Sequence, residues 1–228
     1  MNKIGIIYNP NAGSAKIKKL LKIKERLSLK SSVTIYDTQK PGDATSIAKR
    51  ECKNFDIIVA AGGDGTINEV INGIDVNTKL GIIPLGTANI LAIEARIKND
   101  VKSICKLIEK GNTKKIYISN INDKKFFLMA GIGYDGDIVH KMKASLKKIF
   151  GKAMFGFLGL LEFFKLKKYN IKVETESETA FGNWVLVTNS KHYAGPYKIT
   201  KSTSIFNDSI VCYVFNDLSR LGFLYYIF

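Results

Sequence analysis

The sequence predicts an α/β protein: a parallel sheet covered by helices in residues 1–112, followed by a mostly antiparallel β half in residues 113–228. Short apolar runs alternate with helix-period segments over the first half, the pattern of strands joined by crossover helices. The run 56–61 is apolar almost throughout, as a strand buried on both faces must be. Beyond residue 113, strand candidates follow one another without regular helices between them.

In order, residues 4–8 read as a strand, and Ser14 as the N-cap of a helix to about Leu27 with Ile17, Leu20, Leu21 and Leu27 along one side. Residues 33–36 form a second strand and 43–52 a second helix, after the turn Pro41-Gly42-Asp43. Strand 56–61, helix 66–74, strand 81–84 and helices 88–95 and 101–110 complete the first half. In the second half, 115–120 and 125–130 alternate around Asn122-Asp123 as a hairpin would. Strands are also expected over 171–175, 184–189 and 210–215, with a basic helical insert over 135–168.

Composition excludes several classes. The chain has 228 residues, a formal net charge of +15 and 46% hydrophobic residues, so it folds and favours anionic partners. Cys52, Cys105 and Cys212 show no CxxC spacing, and His140 and His192 do not cluster, which disfavours a disulfide scaffold or structural zinc. The opening MNKIGIIYNP lacks the apolar core of a signal peptide, and the run AMFGFLGLLEFF carries Glu162 and is too short for a transmembrane span. A cytoplasmic protein is expected, with no helix-turn-helix, zinc or RNA-platform pattern that would point to nucleic acid. Homodimerisation is compatible with this reading.

The chemistry lies in three corners where a strand hands over to a helix. The first is Asn9, Pro10, Asn11, Ala12 and Gly13, whose small residues admit a phosphate beside a helix N-terminus. Structural turns carry the same residue types. The second is Gly62, Gly63, Asp64, Gly65, Thr66, Ile67, Asn68 and Glu69. Three glycines in four positions, at the carboxyl end of a buried strand, are placed where open α/β sheets bind ligands. A carboxylate among phosphates is unfavourable unless a metal or a transferable proton is involved, which makes Asp64 the candidate catalytic group. The third corner is Pro84-Leu85-Gly86-Thr87-Ala88-Asn89, where Thr87 serves either a phosphate or a helix cap. GxxxxGK[ST] does not occur, and none of the three corners carries the GxGxxG of a dinucleotide fold.

NPNAG, GGDGTINEVING and PLGTANILA, in this order and spacing, resemble the bacterial diacylglycerol kinase-like family, which is related to the sphingosine kinases. Gly131-Ile132-Gly133-Tyr134-Asp135, Tyr193-Ala194-Gly195-Pro196 and the segment from Ile205 to Ile210 extend the likeness over almost the whole chain. The resemblance implies a nucleotide-binding domain like that of 6-phosphofructokinase, then a β-sandwich, with the active site between them. It implies an ATP site at Asn9–Gly13, Thr38, Gly62–Glu69 and Thr87. It also implies a structural Mg2+ held by the Asp208 carboxylate and the Ile205 and Ile210 carbonyls, oxygen donors that suit a hard cation. Two departures stand out. Ile90 occupies a position where many members carry Asp, and the Asp-Gly-Glu segment expected near the family's C-terminal end has no counterpart before Phe228, as if the β half were incomplete.

The reaction so implied is transfer of the ATP γ-phosphate to a hydroxyl of diacylglycerol or a sphingoid-like lipid, in phospholipid metabolism. Segment 141–168 interleaves Lys141, Lys143, Lys147, Lys148 and Lys152 with Phe150, Phe155 and Phe157, a pattern suited to peripheral binding at an anionic membrane or to a core helix with a solvated lysine face. The rival readings are an NAD kinase-like enzyme, which shares a GGDGT loop, and a non-catalytic nucleotide-binding fragment.

Overall fold

The computed structural model describes residues 1–12, 17–133, 136–137, 169–193 and 197–216. Gly13, Ser14, Tyr134, Asp135, the insert 138–168, residues 194–196 and the segment 217–228 lie outside the described residues.

Four parallel strands form the first sheet: β1 (Asn2–Tyr8), β2 (Ser31–Asp37), β3 (Ile57–Gly62) and β4 (Leu80–Pro84), in the order β2-β1-β3-β4. Their period of two divides the apolar residues between two faces. Ile4, Ile6, Val59, Ala61 and Ile83 pack with Leu20, Ile23 and Leu27 of α1 (Ile17–Ser28) and with Ile104 and Ile108 of α5 (Val101–Lys110). Ile7, Ile58, Ala60 and Ile82 face the other way, onto α2 (Asp43–Glu51) and α3 (Asp64–Gly73) through Ala44, Ile47, Ile67, Val70 and Ile71. Burial on both faces explains why β1 and β3 read as nearly continuous apolar runs, whereas the edge strand β2 is half exposed. The chain steps outward from β1 to β2 and then returns past β1 to β3, so the strand order reverses between β1 and β3. A crevice at the carboxyl ends of those two strands is the usual ligand position in such a sheet.

The helix α4 (Ile90–Glu94) is shorter than predicted, because its N-cap is Asn89, at φ 51° and ψ 49°, and not Thr87. Helix α3 begins earlier than predicted, with Asp64 and Gly65 already in its first turn and Gly63 as N-cap. Helix α5 follows its expected bounds, with the Asp100 side chain accepting from the Ser103 amide and Gly111 closing it at φ 62°.

The second half is antiparallel. Strands β5 (Ser119–Ile121) and β6 (Lys124–Phe126) form the hairpin, with Asn122 at φ 52°. The expected second arm is cut short: β7 (Met129–Gly133) leaves the hairpin and pairs instead with β10 (Trp184–Thr188). Between them come β8 (Ile171–Glu174) and β9 (Thr179–Gly182), which pair with each other. After β10 come the two-residue strands β11 (His192–Tyr193) and β12 (Tyr197–Lys198), then β13 (Val211–Phe215). Strand β10 is central in the order β13-β10-β7, and its Trp184 stacks on Phe215 with ring centres 4.1 Å apart. Phe127, Leu128 and Ile205 from this half enter the same buried cluster as Ile7, Ile67 and Ile90. The two halves therefore meet in one buried cluster.

Candidate functional site

Asn9 leaves β1 and ties two corners together. Its amide donates to the Ala61 carbonyl of β3 (3.0 Å), its Oδ1 accepts from the Asn11 amide (2.9 Å), and its Nδ2 donates to Thr66 Oγ1 of α3 (3.1 Å). The short 3-10 turn Pro10–Ala12 follows, closed by the Ala12 amide on the Asn9 carbonyl. Thr38, buried beyond β2, donates its amide to the Tyr8 carbonyl at 2.9 Å. The first corner, Thr38 and the start of α3 thus meet at the reversal of strand order.

Close backbone approach dominates the second and third corners. A Cβ on Gly62 would lie 2.4 Å from Thr66 Oγ1, and one on Gly86 would lie 2.4 Å from the Cα of Gly63. Gly65 differs, since a Cβ there meets nothing within 4 Å. Asn89 closes the third corner on itself: Oδ1 accepts from the Gly86 amide (2.8 Å) and Nδ2 donates to the Gly86 carbonyl (2.9 Å). Asp64 joins the second corner to the third, for its two carboxylate oxygens accept from the Ile90 amide (3.1 Å) and the Leu91 amide (3.2 Å). Asn89 makes no side-chain cap of its own, so Asp64 satisfies the free N–H groups at the start of α4. Each carboxylate oxygen retains a second lone pair.

Glu69 organises the lip opposite. Its Oε2 accepts from the amides of Gly42 (3.0 Å) and Ala44 (3.2 Å), and its carbonyl accepts from Thr45 Oγ1 (2.9 Å). Gly42 sits at φ 88°, a conformation that favours glycine. Asp43 accepts from the Gln39 and Lys40 amides, and these bonds hold its carboxyl below the ordinary aspartate range.

Between this lip and the first corner lies a cleft of about 160 Å³, lined among others by Asn9, Asn11, Thr38, Lys40, Thr66 and Glu69. Five of these are predicted site residues, and Lys40 adds a positive charge that the motif reading missed. Asp64, Gly65 and Thr87 belong to the adjoining corners, and Gly13 lies outside the described residues. A wider hollow of about 370 Å³, lined by Cys52, Phe55, Asp75 and Lys79, lies where β3 and β4 begin. That is the wrong end of a parallel sheet for a ligand, so the smaller cleft is the candidate site.

Ile205, Asp208 and Ile210 lie in a tight turn of the second half, apart from the cleft lining. The turn is stitched by Thr203 Oγ1 on the Ser209 carbonyl (2.8 Å) and by Asn207 Oδ1, which accepts from the Ser204 amide (2.8 Å). Asp208 and Ile210 are exposed, whereas Ile205 is buried and its carbonyl accepts from the Tyr117 amide at 2.8 Å.

Glu94 was not among the predicted site residues. It ends α4 and is buried, and its Oε1 accepts from Ser190 Oγ, the Lys191 and His192 amides, and His192 Nδ1. Burial pushes its pKa up, but the hydrogen bonds from Ser190 and His192 outweigh burial and hold the carboxyl below the ordinary glutamate range. One acid in an otherwise apolar short helix, ILAIE, was the signal available in the sequence.

A family model described as the diacylglycerol kinase catalytic domain matches residues 3–121. Diacylglycerol kinases of Staphylococcus aureus strains bovine RF122 / ET3-1 and MRSA252 are 33% identical over 198 residues, covering 81% of this chain and 62% of each relative. The chain therefore spans under two thirds of the length of these curated relatives. A crystal structure of a diacylglycerol kinase from Bacillus anthracis str. Sterne superimposes with a TM-score of 0.76 at 23% identity, over 99% of this chain and 77% of the other. A second structure from that organism reaches 0.80 at 24% identity, and both likenesses speak to the fold. The match from residue 3 to 121 runs through all three corners and the cleft lined by parts of the first two, and the chain belongs to the diacylglycerol kinase catalytic domain family.

Proposed function

We propose that this chain carries the nucleotide-binding half and a lipid-binding half of an ATP-dependent lipid kinase. The acceptor is a hydroxyl of diacylglycerol or a related, sphingoid-like lipid. The observation that carries this reading is the meeting of the glycine corners with a Lys40-bearing cleft at the reversal of strand order. The open space beside Gly65 and the free positive end of α3 fit a phosphate chain, and Lys40 favours its charge. Asn9, Asn11, Thr38, Thr66 and Glu69 then surround the nucleotide.

In the transfer, the lipid hydroxyl oxygen bonds to the γ-phosphorus while the bond from that phosphorus to the β,γ-bridging oxygen breaks, leaving ADP. Asp64 is the carboxylate we assign to the reacting centre, held by two backbone amides with lone pairs still available for the hydroxyl proton or for magnesium-bound ATP. The donors of the turn at 205–210 are all oxygen, so Asp208 with the Ile205 and Ile210 carbonyls would hold a structural Mg2+ that neutralises local charge.

We further propose a division into two domains near residue 112, and work at the cytoplasmic face of an anionic membrane through the basic segment 141–168. Among the described residues no helix is long and apolar enough to cross a membrane. The test supplies γ-labelled ATP with dioleoylglycerol in phosphatidylglycerol vesicles, a sphingoid base, or NAD. Label in the lipid arms alone is expected; label in NAD alone, or in none, refutes the reading.

A further inference from the structure

Glu94 presents one oxygen to four donors from a single stretch of chain 96 to 98 residues further on. Ser190 Oγ and the Lys191 amide stand at 2.7 Å, His192 Nδ1 at 2.8 Å and the His192 amide at 3.0 Å. Its side chain is 4% exposed. A carboxylate accepts only, so His192 carries its proton on Nδ1. Burying such a group is costly unless its partners are complete, and an apolar residue would fill this space with less penalty. What the carboxylate adds is one fixed geometry between two distant segments.

Those segments have distinct surroundings. At its first turn α4 is held by Asp64 of the glycine corner, and at its last residue by Glu94 on the strap Thr188–Tyr193. The strap in turn grips the second half. Asn189 Oδ1 accepts from the Leu128 amide (3.0 Å), Thr188 Oγ1 donates to the Leu128 carbonyl (2.8 Å), and Asn189 Nδ2 donates to the Tyr117 carbonyl (2.9 Å). Leu128 is kept at φ 73°, which a leucine rarely adopts, and Tyr117 donates to Ile205. A continuous set of bonds thus runs from Asp64 to the turn at 205–210. It bypasses the nucleotide cleft, whose Asn9, Thr38, Thr66 and Glu69 are set by β1, the turn after β2, and α3.

We infer that Glu94 is a positioning residue, holding the Gly63–Gly86 corner in register with the strap 188–193 so that phosphate donor and lipid acceptor meet; the inference rests on the kinase reading above. Truncating Glu94 leaves ATP binding intact and costs turnover. Glu94→Ala and Glu94→Gln are to be compared in the full chain, by calorimetry with ATP, by dioleoylglycerol phosphorylation, and by amide hydrogen exchange at Ile90 and Leu91. Glu94→Ala is expected to keep ATP affinity within about twofold, lose about tenfold or more in kcat, and exchange at Ile90 and Leu91 about tenfold faster. Glu94→Gln, which keeps the acceptor oxygen, restores most of both. Unchanged exchange at Ile90 and Leu91 in Glu94→Ala, or ATP affinity falling in step with kcat and melting temperature, overturns the inference. If the wild-type chain phosphorylates no lipid, the kinase reading fails, and the exchange measurement alone decides the register. Should Glu94→Ala not fold, His192→Ala removes one donor and is read in the same way, with a smaller change of about threefold.

Discussion

Gly86 lies so close to Gly63 that a methyl group on Gly86 would stand 2.4 Å from the Gly63 Cα, with Asn89 Oδ1 a further 2.7 Å contact. Backbone cannot swing aside as a flexible side chain can. Gly86→Ala is expected to cost about 1–3 kcal/mol, a fall in melting temperature on the order of 5 °C, and to weaken ATP binding as the corners part. Calorimetry and thermal melts check both.

Gly65 gives the opposite expectation. With nothing within 4 Å of a Cβ, Gly65→Ala meets no clash, and alanine favours the first turn of α3 by up to about 1 kcal/mol. Melting temperature should hold or rise. ATP affinity should nonetheless fall about tenfold, and further for Gly65→Val, because a side chain takes the space proposed for the phosphates. Unchanged affinity in a stable variant would place the phosphates elsewhere.

Asp64 is tied to both fold and chemistry. Asp64→Asn replaces one acceptor oxygen with an NH2 group facing an α4 amide, which costs about 1–3 kcal/mol. Turnover should drop about 100-fold or more while ATP affinity changes only a few-fold. A variant that melts earlier but turns over normally would leave Asp64 with the α4 amides alone.

Stability should depend on pH through Glu94. Its folded pKa is depressed by the Ser190 and His192 hydrogen bonds, so the stabilisation is full above the ordinary glutamate value of 4.5 and is lost as pH falls through the lower folded value. Glu94→Gln cannot titrate. The melting-temperature advantage of wild type over Glu94→Gln should therefore shrink as pH falls below 4.5, and an advantage constant down to acid unfolding would contradict the depressed pKa.

The parallel sheet was legible because its central strands β1 and β3 are apolar on both faces, and Ile4, Ile6 and Ile7 leave little else to infer. The glycine corners were legible because glycine at a strand end has few alternative uses. Of the two roles open to Thr87, the helix cap falls instead to Asn89, whose left-handed backbone is not written in its neighbours. The hairpin at Asn122 was visible, but the departure of β7 toward β10 was not, since pairing between residues 129–133 and 184–188 leaves no local trace. Strands β11 and β12, two residues each, were missed for shortness. Glu69 stood out as part of a motif and Glu94 did not; only their distant amide partners, Gly42 and Lys191, give each its place in the structure.

Phe127, Leu128 and Ile205 lie in the same cluster as Ile7, Ile67 and Ile90. Contact of this kind should couple the two proposed domains, so that they melt together, which a single calorimetric transition would show. Excising residues 1–112 would leave the sheet its helices but uncover the part of the cluster that Phe127, Leu128 and Ile205 protect, an apolar patch prone to association.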